Sequence, residues 1–224
     1  FHMPVMMLML ITLLNDGTLI AIGYDNVIPL KTPERWNLRV LFFMGGVMAS
    51  VALFSSLILL YCLLNSWSEA SFFHKIGLGG ISYGQITTSI YLKVSVSDFL
   101  TLFSVRCGED WLWASRPAPV LLGAASVALS CSTILACVWP PSYPDGIYAN
   151  GLANKKPYGL AAYIWVYCIL FWFIQDAAKV FAYWLLKKYN IFGINNTGAV
   201  VVDHAALNRV QTESYKRLAT STKH

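Results

Sequence analysis

Long apolar stretches separated by short polar breaks organise this 224-residue chain. Windows at about 3–23, 40–64, 118–139 and 158–186 each supply the roughly 20 helical residues that a hydrocarbon core requires. A further window at 86–105 is interrupted by Lys93, Ser95, Ser97 and Asp98. Enclosed by other helices it is predicted to cross as well, with a helix lying in the interface as the competing reading, because charges facing lipid are strongly disfavoured. The pattern predicts an all-α polytopic transmembrane helical bundle of five spans over residues 1–186, followed by a polar tail at 187–224.

The breaks carry turn chemistry. Asp25, Asn26, Pro29 and Pro33 end the first window, residues 65–85 are rich in Gly and Ser, and Pro140, Pro141, Pro144, Asn150 and Pro157 precede the last window. The glycines of IGLGGISYG at 76–84 lack the Lys-Ser or Lys-Thr ending of a phosphate loop and read as a plain connection. Within the second window, Gly45, Gly46, Ala49, Ser50, Ala52, Ser55 and Ser56 are small enough for close helix packing. In the tail, 203–218 fits either an amphipathic helix or a disordered segment.

Composition agrees with the pattern. Hydrophobic residues make up 57% and charged residues 12%, against about 45–50% and about 25% in soluble domains, which excludes an ordinary soluble domain. A net charge of +5 invites nucleic acid, but Lys and Arg cluster beside the apolar windows and form no basic stripe, so lipid is the expected partner and nucleic acid is not. Trp36, Trp67, Trp111, Trp113, Trp139, Trp165 and Tyr158 lie near window ends, as rings at a headgroup interface do. Lys31, Arg35, Arg39, Arg106, Arg116, Lys187 and Lys188 fall on one side, against Lys75, Lys155 and Lys156 on the other. This puts the C-terminus in the cytoplasm and Phe1 outside. Cys62, Cys107, Cys131, Cys137 and Cys168 show no metal spacing and read as free thiols. Phe1 opens directly into apolar sequence without a basic leader, so a processed product or fragment with a preceding segment is expected.

Candidate chemistry centres on Leu14-Asn15-Asp16-Gly17-Thr18. A carboxylate halfway through a span needs a polar cavity, a cation, a basic partner or a proton. Burial favours the acid and water favours the carboxylate, so alternating surroundings make Asp16 load and release a proton. Gly17 permits local unwinding, and Asn15 and Thr18 can hydrogen-bond freed backbone groups or Asp16. The plainer reading is an Asp satisfied by helix contacts. Asp98 is a second proton-transport candidate, with polar glue as its alternative. Asp176 and Lys179, three apart, read as a structural ion pair. Arg106, Glu109 and Asp110 read as an interface-facing charge cluster.

The stretches LLNDGTLIAIGYDNV at 13–27, PLKTPERWNL at 29–38, SIYLKVSVSDFLTLFSVR at 89–106 and AYIWVYCILFWFIQDAAKVFAYWLL at 162–186 resemble the C-terminal transmembrane region of plasma-membrane proton-pumping P-type ATPases. The resemblance implies that the five segments are helices six to ten of a ten-helix pump. Asp16 then matches the proton-accepting aspartate, Asp98 an acidic or polar position of helix eight, and Asp176 a structural position of helix ten. It also implies a parent enzyme using ATP and Mg2+, with the phosphorylated and nucleotide-binding domains outside these residues, no catalytic residue here, the missing N-terminal part as principal partner, and oligomerisation left open. Thr222-Lys223-His224 does not reproduce the family's Tyr-Thr-Val ending, so that regulatory-protein partner is not implied, although a regulatory tail is. A P-type pump for another cation is the nearest alternative, and a noncatalytic membrane assembly or channel module is the alternative of a different class.

Overall fold

The computed structural model describes residues 3–25, 37–67, 73, 77, 79–114, 116–154 and 156–196. Five long helices lie among them: α1 (Val5–Ala21), α2 (Leu38–Leu64), α3 (Tyr83–Val105), α4 (Pro119–Val138) and α5 (Leu160–Lys188). α1, α2, α4 and α5 are apolar and long enough to span a bilayer, with mean hydropathy of 2.0, 2.4, 2.0 and 1.5 over the spans they form. The protein is therefore an all-α polytopic membrane bundle with four apolar spans. α3 matches them in length but is too polar to rank with them. The expected features at Asn26, Pro29, Lys31, Pro33, Arg35, Trp36, Lys75, Lys155 and 203–218 lie outside the described residues.

Polarity sorts the helices. α3 buries fifteen of its 23 residues whereas α2 buries six of 27, so the most polar helix is the central one. It packs against α1, α2, α4 and α5, while α1 also lies on α4 and α2 on α5. Lipid solvates Leu and Phe but cannot hydrogen-bond a hydroxyl or an ammonium group, which is why the apolar helices turn Leu13, Ile20, Phe42, Ile134, Leu170 and Phe181 outward. One buried cluster runs through α3 from Ile86 to Leu100 and takes in Met7 and Ile11 of α1, Leu59 and Leu63 of α2, and Leu160 and Ile164 of α5.

The helix ends follow from local chemistry. Asn37 accepts from the Val40 amide at 3.4 Å and caps α2. The Gln85 side chain accepts from the Ser82 amide at 3.2 Å, closing the first turn of α3. Pro119 starts α4, where a missing amide hydrogen does no harm. α4 ends under the connection to α5. The amides of Gly151, Leu152 and Ala153 donate to Trp139, Ala136 and Cys137 at 2.8, 3.0 and 3.1 Å, satisfying carbonyls at the helix end. A Cβ at position 151 would sit 2.5 Å from the Cys137 carbonyl, so glycine permits that approach. The same connection reaches α3, where the Thr88 hydroxyl donates to the Asn150 carbonyl at 2.9 Å, and α1, whose Val5 amide donates to the Asp145 carboxylate at 2.9 Å.

Candidate functional site

Polar side chains spaced along α3 go to particular neighbours. Lys93 donates to the Ala52 carbonyl (3.2 Å) and the Ser56 hydroxyl (2.6 Å) of α2. Ser95 accepts from Ser132 of α4 at 2.8 Å. Asp98 accepts from the Asn15 amide of α1 at 3.0 Å. Thr101 donates to Gln175 of α5 at 3.0 Å, and Gln175 donates onward to the Met48 carbonyl of α2 at 3.2 Å. Steps of two or three residues turn a helix through large angles, so one polar strip of sequence addresses four surrounding helices.

The residues singled out in α1 divide between two faces. Asn15, Thr18 and Asp98 line one cavity of about 130 Å³ with Leu19, Phe99 and Leu102. Asp16 lies instead on an open groove beside Met9, Thr12 and Leu13, is exposed, and has no hydrogen-bond partner among the described residues. Gly17, which permits local unwinding, is helical here: α1 is continuous from Val5 to Ala21, and the Thr18 hydroxyl donates to the Leu14 carbonyl at 3.1 Å. That bond leaves the intrahelical ladder intact, and the cost of one glycine inside a helix, about 0.5–1 kcal/mol relative to alanine, is too small to break it. Neither Asn15 nor Thr18 bonds to Asp16.

Two buried ion pairs brace the end of the bundle where α1, α3 and α5 finish. Asp176 and Lys179 meet at 2.9 Å with side chains 0% and 2% exposed. Asp176 also accepts from the Ser104 hydroxyl (2.5 Å) and the Leu112 amide (3.1 Å), and Lys179 donates to the Ser104 and Asp110 carbonyls at 2.9 and 2.8 Å. Arg106, expected to face the interface with Glu109 and Asp110, turns inward to Asp25 at 2.8 Å and engages both carboxylate oxygens. Asp25 further accepts from the Ala118 amide at 3.0 Å, which ties the end of α1 to the start of α4. Glu109 pairs with Lys187. Sequence reasoning missed the Asp25–Arg106 pair because the partners are 81 residues apart; the only available signal was the basic residue bordering a polar helix.

Among the described residues no group of three or more His, Cys, Asp or Glu side chains gathers to hold a metal. The five cysteines are free thiols.

No family model matches the chain. Over 200 residues it is 44% identical to "Probable proton ATPase 1A" of Leishmania donovani, an alignment covering 86% of this chain and 20% of that protein. "Probable proton ATPase 1B" of the same organism gives the same identity and coverage. The chain is a P-type ATPase-like polytopic membrane protein. It spans about a fifth of the length of these curated relatives. The likeness agrees with the sequence resemblance at the level of the family.

Proposed function

We propose that this chain is the membrane portion of an ATP-driven proton exporter, with Asp16 carrying the transported proton and Asp98 as a second candidate. On this reading α1 to α5 are five spans, helices six to ten of a ten-helix P-type pump of the plasma membrane, with the C-terminus in the cytoplasm. The observation that carries the proposal is a carboxylate in the middle of an apolar helix whose side chain faces away from the other described helices and finds no partner among them. A group so placed in hydrocarbon is served by a polar cavity, by protonation or by another element of the parent.

Chemically, Asp16 needs only two environments. Away from water the neutral acid is preferred, and in contact with water or a basic group the carboxylate is preferred, so alternating access moves one proton per exchange. Moving one charge against 100 mV requires about 2.3 kcal/mol, which ATP hydrolysis in the parent would supply. On this reading ATP and Mg2+ bind in the preceding part of the same polypeptide, the principal partner.

The test is ATP-dependent proton uptake into sealed vesicles by the full-length protein and its Asp16→Asn variant. The variant is expected to insert normally and to lose coupled uptake; normal coupled uptake removes Asp16 from the mechanism. A pump for another cation is the second reading, favoured by the oxygen-lined cavity at Asn15, Thr18 and Asp98.

A further inference from the structure

We propose that Lys93 is a fixed internal charge that sets ion specificity, keeping alkali-metal cations out of the cavity between α1 and α3 while leaving its carboxylate open to protons. This rests on the proton-pump reading and adds to it the device that selects the ion. Lys93 is 2% exposed in the centre of the bundle. Its ammonium meets only neutral oxygens, the Ala52 carbonyl and the Ser56 hydroxyl of α2, and among the described residues no carboxylate lies within ion-pair distance. Ser56 itself donates to the same Ala52 carbonyl at 2.9 Å, so the ammonium is held in one place by a shared acceptor.

A buried charge without a counter-ion is a poor helix brace, because an amide or a hydroxyl would make the same bonds without desolvating a charge. What the ammonium adds is its field. Asp98 stands five residues further along the same helix and takes its hydrogen bond from Asn15 of α1. The cavity beside Asp98 offers the Asn15 side-chain amide, the Thr18 hydroxyl and the carboxylate, oxygen groups of the kind that hard cations take. A metal ion entering there would add a full charge close to Lys93 and be repelled. A proton forms a covalent O–H bond and leaves the carboxyl neutral, so the same field opposes it far less than it opposes a hydrated ion that must also shed water. Lys93 thus acts at a distance, without touching the ion.

The experiment uses full-length protein in sealed vesicles, with ATP-dependent proton uptake measured against rising Na+ or K+. Lys93→Gln keeps a hydrogen-bond donor and removes the charge, Lys93→Met removes both, and Lys93→Arg keeps the charge. Uptake by the Gln and Met variants is expected to be inhibited at roughly tenfold lower Na+ or K+ than wild type, the size of a unit-charge interaction at about 12 Å and an effective dielectric near 20. The Arg variant should follow wild type. Gln and Met variants as insensitive as wild type would overturn the proposal and make Lys93 a helix contact. Failure of both to assemble while Arg assembles would also overturn it, since the charge would then serve folding. A wild-type protein that moves no protons in this assay defeats the proton-pump reading instead.

Discussion

Replacing Asp176 by Ala isolates the energetics of the buried pair that joins α5 to the end of α3. The substitution removes a carboxylate that is 0% exposed and holds Lys179 at 2.9 Å, the Ser104 hydroxyl at 2.5 Å and the Leu112 amide at 3.1 Å. Lys179 keeps two carbonyl acceptors, Ser104 and Asp110, but loses its counter-charge inside the bundle. Breaking one side of such a pair destabilises by about 3–5 kcal/mol, because an uncompensated charge remains buried. Lost hydrogen bonds to the Leu112 amide and the Ser104 hydroxyl fall within that figure, since part of the freed donor capacity meets the loop's own carbonyls. Replacing Lys179 by Met as well removes the stranded ammonium, so the double variant should regain at least half of the loss. The assay is equilibrium unfolding of the full-length protein in detergent micelles for wild type, Asp176→Ala, Lys179→Met and the double variant, closed as a thermodynamic cycle. An Asp176→Ala loss below about 1 kcal/mol, the range of surface pairs, would refute the reasoning. So would a double variant whose loss equals the sum of the single losses.

Arg106→Met should destabilise by a similar amount, about 3 kcal/mol or more, since it leaves Asp25 buried beside the Ala118 amide; the same unfolding assay reads it, and Arg106→Lys, which cannot grip both oxygens, should recover only part. Gly151→Ala is expected to lower stability by about 1–3 kcal/mol and to loosen the α4–α5 connection, measured as faster hydrogen exchange at Leu152 and Ala153, because the added methyl meets backbone at 2.5 to 2.8 Å with nothing flexible to give way. Asp145→Ala should remove the carboxylate at the start of α1 and reduce stability by about 1 kcal/mol, with the loss confined to the first turn in hydrogen exchange.

The helices were legible because lipid imposes one rule on every outward residue. Windows expected at 3–23, 40–64, 118–139 and 158–186 correspond to helices at Val5–Ala21, Leu38–Leu64, Pro119–Val138 and Leu160–Lys188. The segment at 86–105 begins three residues early, at Tyr83; Lys93 is buried by a central position that hydropathy does not encode, whereas Asp98 is exposed and takes its hydrogen bond from Asn15. Pairings between distant segments were not legible. Asn15 joins Asp98 across 83 residues and Arg106 joins Asp25 across 81, and no local period marks which of several polar groups on one helix meets which on another. Gly17 permits unwinding but does not compel it; nothing in the bundle presses on that turn, and the helix continues through it.

The uneven distribution of cross-links around α3 has a mechanical corollary. α5 is fastened to it at Gln175, at Asp176 and at Lys179, and to α2 through Gln175 and through Tyr167, whose hydroxyl donates to the Ser55 carbonyl. Among the described residues, the mid-section of α1 is held to α3 by one polar bond, Asn15 to Asp98, with a further tether at its far end through Asp25. Sliding α1 by part of a turn therefore breaks one polar bond at its middle, whereas moving α5 breaks several at once. α2, α3 and α5 make a stiff frame, and the helix bearing Asp16 is the hinged member mounted on it.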